Sequence, residues 1–377
     1  MASDWAREGL LDGLEESARK RRVRLLDELE SAGCGREEIR RAAADERLSL
    51  LLVDRTLGGQ PEYDARTLAE RSGAELDFLV RVQQAMGRAV PDLDEPAFDQ
   101  GDLEAAELLA QLRAAGIEEE GLLEVTRVLG RALNQGADAI RGVFERAFVE
   151  AGVPEDQFAQ RNARLAKGLL DLTGPLLTYV LTVHLREGIR AEAVGEAGRA
   201  ASGELAGARA VGVAFVDLVG YTRLGEQVEA DEVGAVAQRL EALSTEVAVA
   251  PVRVVKTIGD AVMLVAPDAT RLLGTVLELV DRVAAEGDDY PEAHAGVAFG
   301  PALARGGDWY GHPVNLASRI TAIARPRSVL CADAMREVAG EERFRWSSAG
   351  SRQLKGLRRP ERLLRARRRE DGEDGSG

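Results

Sequence analysis

The side chains whose types and spacing can do chemistry lie in the second half of this 377-residue chain. Asp217 sits within Phe215-Val216-Asp217-Leu218-Val219-Gly220-Tyr221-Thr222. Residues 211–216 are apolar and rich in β-branched side chains, so they predict a buried strand that ends at Asp217. A loop with Gly220 follows, and Thr222 is placed to cap a helix running through Leu224 and Val228. A carboxylate at a strand end, beside the N–H groups that open a helix, suits a metal-bound phosphate. The plainer reading is a helix-capping aspartate in an ordinary strand-to-helix turn.

A second segment is Lys256-Thr257-Ile258-Gly259-Asp260. Residues 252–256 and 261–265 read as two strands joined by a tight turn in which Gly-Asp is a favourable pair. Asp260 is then either a simple turn residue or a second carboxylate beside Asp217 at one sheet edge. The third segment runs Gly307-Asp308-Trp309-Tyr310-Gly311-His312-Pro313-Val314-Asn315-Leu316-Ala317-Ser318-Arg319. It predicts a loop and then a helix on which Asn315 and Arg319, four apart, share a face. An amide and a guanidinium so placed can converge on one phosphate. The apolar neighbours Val314, Leu316, Ala317 and Ile320 argue against a random surface pair.

In this order the three segments resemble the catalytic domain of class III nucleotide cyclases, over roughly residues 207–366. The resemblance implies an α+β chain, with an all-helical N-terminal domain followed by a ferredoxin-like βαββαβ cyclase domain. It implies Asp217 and Asp260 as metal ligands, for Mg2+ or Mn2+, two per active site, and such pairs lie about 3.5–4 Å apart. Lys256 and Asp308 fall on the pair that reads the purine, and Asn315 and Arg319 on the pair that stabilises the transition state. Lys355, in Gln353-Leu354-Lys355-Gly356, resembles a late lysine at the pyrophosphate end. The N–H groups of Leu218, Val219, Gly220, Tyr221 and Thr222 would cradle phosphates.

The implied reaction is attack of the ribose 3′-oxygen on the α-phosphate of ATP, giving 3′,5′-cyclic AMP and pyrophosphate. One metal would activate the hydroxyl and the other would hold the triphosphate. Lysine only donates hydrogen bonds and ionised aspartate only accepts, which matches the N1 acceptor and N6 donor of adenine. Guanine presents the opposite pattern, so a guanylate cyclase is the alternative that this pair disfavours. Family sites lie between two catalytic domains, and one complete residue set per chain implies a head-to-tail homodimer with two equivalent sites.

These residues need scaffolding, and the chain is long enough for two cores. The expected division is a helical regulatory domain over 1–186, a helical linker over 187–207, the cyclase domain over 208–366 and a disordered tail over 367–377. A net charge of −15 speaks against general nucleic-acid binding. Cys34 and Cys331 are too far apart in sequence to suggest a disulfide framework, which fits a cytoplasmic location. The opening residues lack a secretory signal. The most apolar stretch, 168–185, carries Asp171, Pro175 and His184, so no membrane span is expected; a buried helix pair or a dimer interface is.

In the first half, Leu10, Leu14, Val23, Leu26 and Leu29, and later Leu122, Val125, Leu129, Leu133, Ile140, Val143, Phe144 and Phe148, keep helical spacing. Pro91, Pro96, Pro154 and Pro175 mark expected breaks. The run from Tyr63 to Gly73 resembles the helix-turn-helix opening of MerR-type regulators, but residues 60–115 are acidic, whereas a DNA reader needs Lys and Arg. A MerR-like regulator with a cyclase-like sensor domain is therefore the reading from another class. The arrangement as a whole resembles bacterial soluble two-domain adenylate cyclases, whose helical N-terminal domain regulates catalysis, in some members in response to pH. His184 precedes the linker, and histidine ordinarily titrates near pH 6.5, so its protonation is a candidate switch. The plainer expectation is a buried structural histidine. His294 and His312 acquire no role from position alone. The arginine-rich stretch from Arg358 to Arg369 reads as a solvated terminus.

Overall fold

The structure, a computed structural model, describes residues 2–148, 155–199, 208–226 and 228–369. It divides into two compact units, Met1–Ala197 and Gly198–Gly377.

In the first unit the helical spacing of apolar residues yields α1 (Ala2–Arg7), α2 (Glu16–Ser31), α3 (Arg36–Ala44), α4 (Leu51–Gly58), α5 (Ala65–Ser72), α6 (Leu76–Ala85), α7 (Gln100–Ala114), α8 (Glu119–Phe148) and α9 (Glu155–Arg199). One core gathers Trp5, Leu25, Leu26, Leu29 and Ile39 with Ala159 of α9. A second gathers Tyr63, Leu68, Phe78, Val82, Phe98 and Leu123. Asp64 caps α5 by accepting from the Thr67 N–H at 2.6 Å. In the helix-turn-helix-like run Arg66 pairs with Asp94 and Arg71 lies over the Tyr63 ring, and just beyond it Arg81 pairs with Glu119 and Glu120.

Two expectations fail here. Pro175 does not break α9, which runs through it, whereas the described part of the expected helical linker is helical, to Arg199. Residues 200–207 lie outside the described residues, as does Pro154. Nor is the 168–185 stretch a buried helix pair in the single chain. Leu172, Leu176, Leu177, Leu181 and Leu185 are exposed, as are Val125, Leu129 and Leu133 of α8. By length and composition alone Asp156–Ile189 is apolar enough to cross a membrane. Its first turn is instead anchored on α2, where Arg24 reaches Asp156 at 3.2 Å and Gln160 reaches Glu28 at 2.8 Å.

The second unit comprises β1 (Ala208–Leu218), α10 (Tyr221–Leu224), α11 (Ala230–Val247), β2 (Arg253–Ile258), β3 (Ala261–Ala266), α12 (Ala269–Ala284), β4 (Ala293–Arg305), β5 (Asp308–Tyr310), α13 (His312–Thr321), β6 (Val329–Ala332), α14 (Asp333–Ala339), β7 (Phe344–Arg352) and β8 (Glu361–Arg368). The sheet order is β2-β3-β1-β4-β6-β8-β7, with β5 pairing β4. The elements from β1 to β4, leaving aside short α10, make the ferredoxin-like βαββαβ unit, and the chain as a whole is α+β. β8 continues through Arg367 and Arg368, which the sequence reading assigned to a disordered tail; residues 370–377 lie outside the described residues.

Because side chains alternate along a strand, β1 feeds two cores. Ala214, Val216 and Leu218 pack toward α11 and α12, while Val211 and Val213 pack toward α13. By the same alternation Asp217 and its cross-strand partner His294 fall on the α13 face, as does Gly296. A Cβ on Gly296 would stand 2.3 Å from the Thr321 nitrogen and 2.4 Å from the Ala317 oxygen, so only glycine admits α13 this close. Thr321 completes the contact, its single hydroxyl proton shared between the Ala317 carbonyl at 2.9 Å and the Phe215 carbonyl at 3.3 Å. Gly296→Ala should therefore lift α13 from the sheet and destabilise the second unit by on the order of 3 kcal/mol. Chemical denaturation of the variant would measure this.

Candidate active site

The strand-end reading of Asp217 holds: it pairs with Ala261 across β3, directly after the β2–β3 turn that carries Asp260. Gly259 makes that turn with φ +61, a conformation that favours glycine. The Leu218 N–H donates to the Asp260 carbonyl at 3.3 Å, tying the turn to the end of β1. The two carboxylates thus meet. Burial, followed by the charge and hydrogen bond of Asp217, pushes the Asp260 carboxyl above the usual carboxylate range.

His294 completes this cluster, and sequence reasoning gave it no role. Its Nδ1 lies 2.7 Å from the Ala324 carbonyl and its Nε2 3.5 Å from Asp217 Oδ2. A carbonyl only accepts, so Nδ1 carries the proton, and a second proton on Nε2 would be donated to Asp217. Burial opposes that second proton. The hydrogen bonds to Asp217 and Ala324 and the charges of Asp217 and Asp260 outweigh it and hold His294 above the ordinary histidine value. The one available signal was register: His294 stands opposite Asp217 on the neighbouring strand. Two adjacent carboxylates, one of them reluctant to ionise, form an oxygen-donor set suited to Mg2+ or Mn2+. Among the described residues no cluster of three or more metal-binding side chains exists. The remaining ligands of such an ion would have to come from phosphate and water, as Mg2+ commonly arranges.

Lys256 on β2 and Asp308 on β5 are 52 residues apart in sequence and form an ion pair. The other oxygen of Asp308 accepts from the Trp309 N–H at 2.8 Å. Asn315 and Arg319 lie on the exposed side of α13, opposite buried Leu316, Ala317 and Ile320. Lys355 is exposed in the turn between β7 and β8.

The phosphate loop differs from expectation in detail. Gly220, at φ +78, is the cap of α10 rather than Thr222, and the helix ends at Leu224 without reaching Val228. The Leu218 and Val219 N–H groups are already used, the latter donating to the Glu292 carbonyl at 2.7 Å. Only the amides of Gly220, Tyr221 and Thr222 remain to face a phosphate. His184 is exposed rather than buried, with Nδ1 3.7 Å from Glu187 Oε2 one turn along α9.

Residues 3–189 match the adenylate cyclase regulatory domain family. The chain is 41% identical to a pH-sensitive adenylate cyclase of Mycobacterium tuberculosis, over 97% of this chain and 93% of that one. It is 32% identical to an adenylate cyclase of Streptomyces coelicolor, over 78% of this chain and 76% of that one. Among solved structures, the adenylyl cyclase CyaB of P. aeruginosa aligns with 44% of this chain and 96% of its own, at 18% identity and a TM-score of 0.40. With a relative this similar along nearly its whole length, the chain belongs to the bacterial class III adenylate cyclases that carry an N-terminal regulatory domain.

Proposed function

We propose that this adenylate cyclase works as a head-to-tail homodimer with two shared sites, and that it selects ATP through Lys256 and Asp308. The observation that carries the reading is the solvent-facing position of Asn315 and Arg319 on α13 while Asp217 and Asp260 cluster elsewhere on the same chain. An exposed amide–guanidinium pair is poised to act on a substrate held by another protomer. The uncovered apolar residues of α8 and α9 also favour pairing of chains.

In this reading one protomer supplies Asp217, Asp260 and the amides of Gly220, Tyr221 and Thr222. Its partner supplies the purine pair, the α13 pair and Lys355. Two bound divalent ions would supply Lewis-acid activation of the 3′-hydroxyl and charge neutralisation of the triphosphate. Lys256 donates to adenine N1 and Asp308 accepts from the N6 amino group, each exchanging part of its present ion pair for the base. Asn315 orients the ribose, and Arg319 stabilises charge developing on the α-phosphate.

For regulation, the M. tuberculosis relative is named pH-sensitive, and we extend that property to this chain. His184 stands one turn from Glu187, where protonation would create an attractive pair that favours a continuous α9.

Asp217→Ala and Arg319→Ala, made separately, should each lower turnover by on the order of 10²–10³-fold. An equal mixture of the two should recover about a quarter of wild-type activity, since half the dimers regain one good site. No recovery would refute shared sites. Asp260→Asn should abolish metal-dependent synthesis yet melt at a higher temperature than wild type without metal. Because the folded Asp260 holds its proton more tightly than the unfolded one, wild-type stability falls as pH rises from the ordinary carboxylate value through the raised one. That fall should be missing in the variant, and Mn2+ should raise the melting temperature of the wild type alone. For regulation, His184→Ala in the full chain should flatten the pH–activity profile between about pH 5.5 and 8; an unaltered profile removes His184 from the mechanism.

A further inference from the structure

A cavity of about 480 Å³ opens on the α13 face of the sheet, beyond the end of that helix. Three arginines converge on it from three separate places: Arg325 in the α13–β6 connection, Arg352 at the end of β7 and Arg365 in the middle of β8. No carboxylate lines it. None of the three makes an ion pair or a side-chain hydrogen bond among the described residues, and the Nε of Arg365 is buried without a partner. Elsewhere on the same unit arginines find acids: Arg239 reaches Glu286 at 2.7 Å, Arg327 reaches Glu292 at 2.8 Å, and Arg336 pairs with Glu341. In a chain with 64 acidic residues and a net charge of −15, three arginines, two exposed and one half-buried, that line one cavity with no counter-charge among the described residues make it attractive to an anion. Buried Leu330 and Leu363 also line it.

We infer that this cavity is a binding site for a phosphate-class anion, held by Arg325, Arg352 and Arg365. Guanidinium forks match phosphate oxygens two at a time, and the volume falls within the usual range for small-molecule sites. The Ser348 hydroxyl, which accepts from the Gly350 N–H at 3.3 Å, keeps its own proton to donate. Position favours pyrophosphate as the source. Arg325 directly follows Ala324, whose carbonyl holds His294 against Asp217, so the Arg325 edge of the cavity lies next to the carboxylate cluster. Pyrophosphate as the source rests on the cyclase reading; the anion site itself rests on the cavity alone. Inorganic phosphate from solution is the other source of the same chemistry.

Titration calorimetry on the full chain, without metal or nucleotide, separates these. Pyrophosphate and inorganic phosphate are each titrated into wild type, Arg352→Gln/Arg365→Gln, Arg352→Lys/Arg365→Lys and Asp260→Asn. Wild type should bind pyrophosphate with an affinity that falls as salt rises. The glutamine pair should weaken it by at least ten-fold, the lysine pair should restore part of the loss, and Asp260→Asn should leave it intact. Circular dichroism and melting curves establish that the variants fold. A preference for pyrophosphate, with weaker product inhibition of cyclic AMP synthesis in the glutamine pair, identifies the released product as the ligand. Equal binding of phosphate with unchanged product inhibition identifies the solution anion. Pyrophosphate and phosphate affinities unmoved in the folded glutamine pair overturn the site, and since this assay involves no turnover, that result leaves the cyclase reading untouched.

Discussion

The close approach of α13 to β4 at Gly296 is the constraint on which the catalytic unit depends. The helix backbone sits where a Cβ would be, so α13 is held to the sheet by shape, with the Thr321 bonds fixing its rotation. Once the rotation is fixed, Leu316, Ala317 and Ile320 must face down, and Asn315 and Arg319 must face out. The pleat does the complementary work on the strands. It sends Val216 and Leu218 to the α11–α12 core and leaves Asp217 and His294 on the other face. The placement of every candidate group on α13, β1 and β4 thus follows from one tight helix–sheet contact and one strand register.

The charges at the site are arranged against stability and in favour of a cation. Asp217 and Asp260 repel each other, and among the described residues the neighbour beside them is His294, whose charged form burial opposes but the two carboxylates favour. Such clusters persist because the surrounding fold is stable enough to hold them. Lys256 and Asp308 show the opposite arrangement: each satisfies the other in the absence of a base. In the proposed reading, adenine would compete with an existing ion pair. That competition favours a base able to satisfy both partners, because a mismatched one would leave a desolvated charge unpaired.

The strand-ending aspartate, the hairpin and the α13 pair were legible because each rests on local signals of period, turn chemistry and helical spacing. What escaped the sequence was made by pairing across distance. His294 matters because β4 aligns it with Asp217, 77 residues away, and nothing near it in sequence announces that. Arg325, Arg352 and Arg365 are scattered along the chain and meet only after β6, β7 and β8 pair. Local rules also misled. Thr222 is a good cap by type, yet Gly220 takes that position because the chain leaves β1 through a left-handed turn. Pro175 should end a helix, yet α9 passes through it. On α8 and α9 the apolar period was right for helix and wrong for burial, since periodicity reports which face is apolar and not what covers it.

α9 offers a physical reason why such a chain can be regulated. The helix carries an internal proline and several glycines, including Gly174, Gly188 and Gly195. Each glycine costs about 1 kcal/mol relative to alanine and a proline about 3 kcal/mol. Along its exposed stretch little packing offsets those costs, because its leucines face solvent in the single chain. Were its continuity closely balanced, a single ionisation or contact could decide it. A bias of about 1.4 kcal/mol changes the ratio of two states ten-fold, within reach of one charged pair or one buried leucine. A stiff, well-packed helix at the same place would need a far larger signal. If α9 is the responding element, its proline and glycines are what would let a small signal act on it.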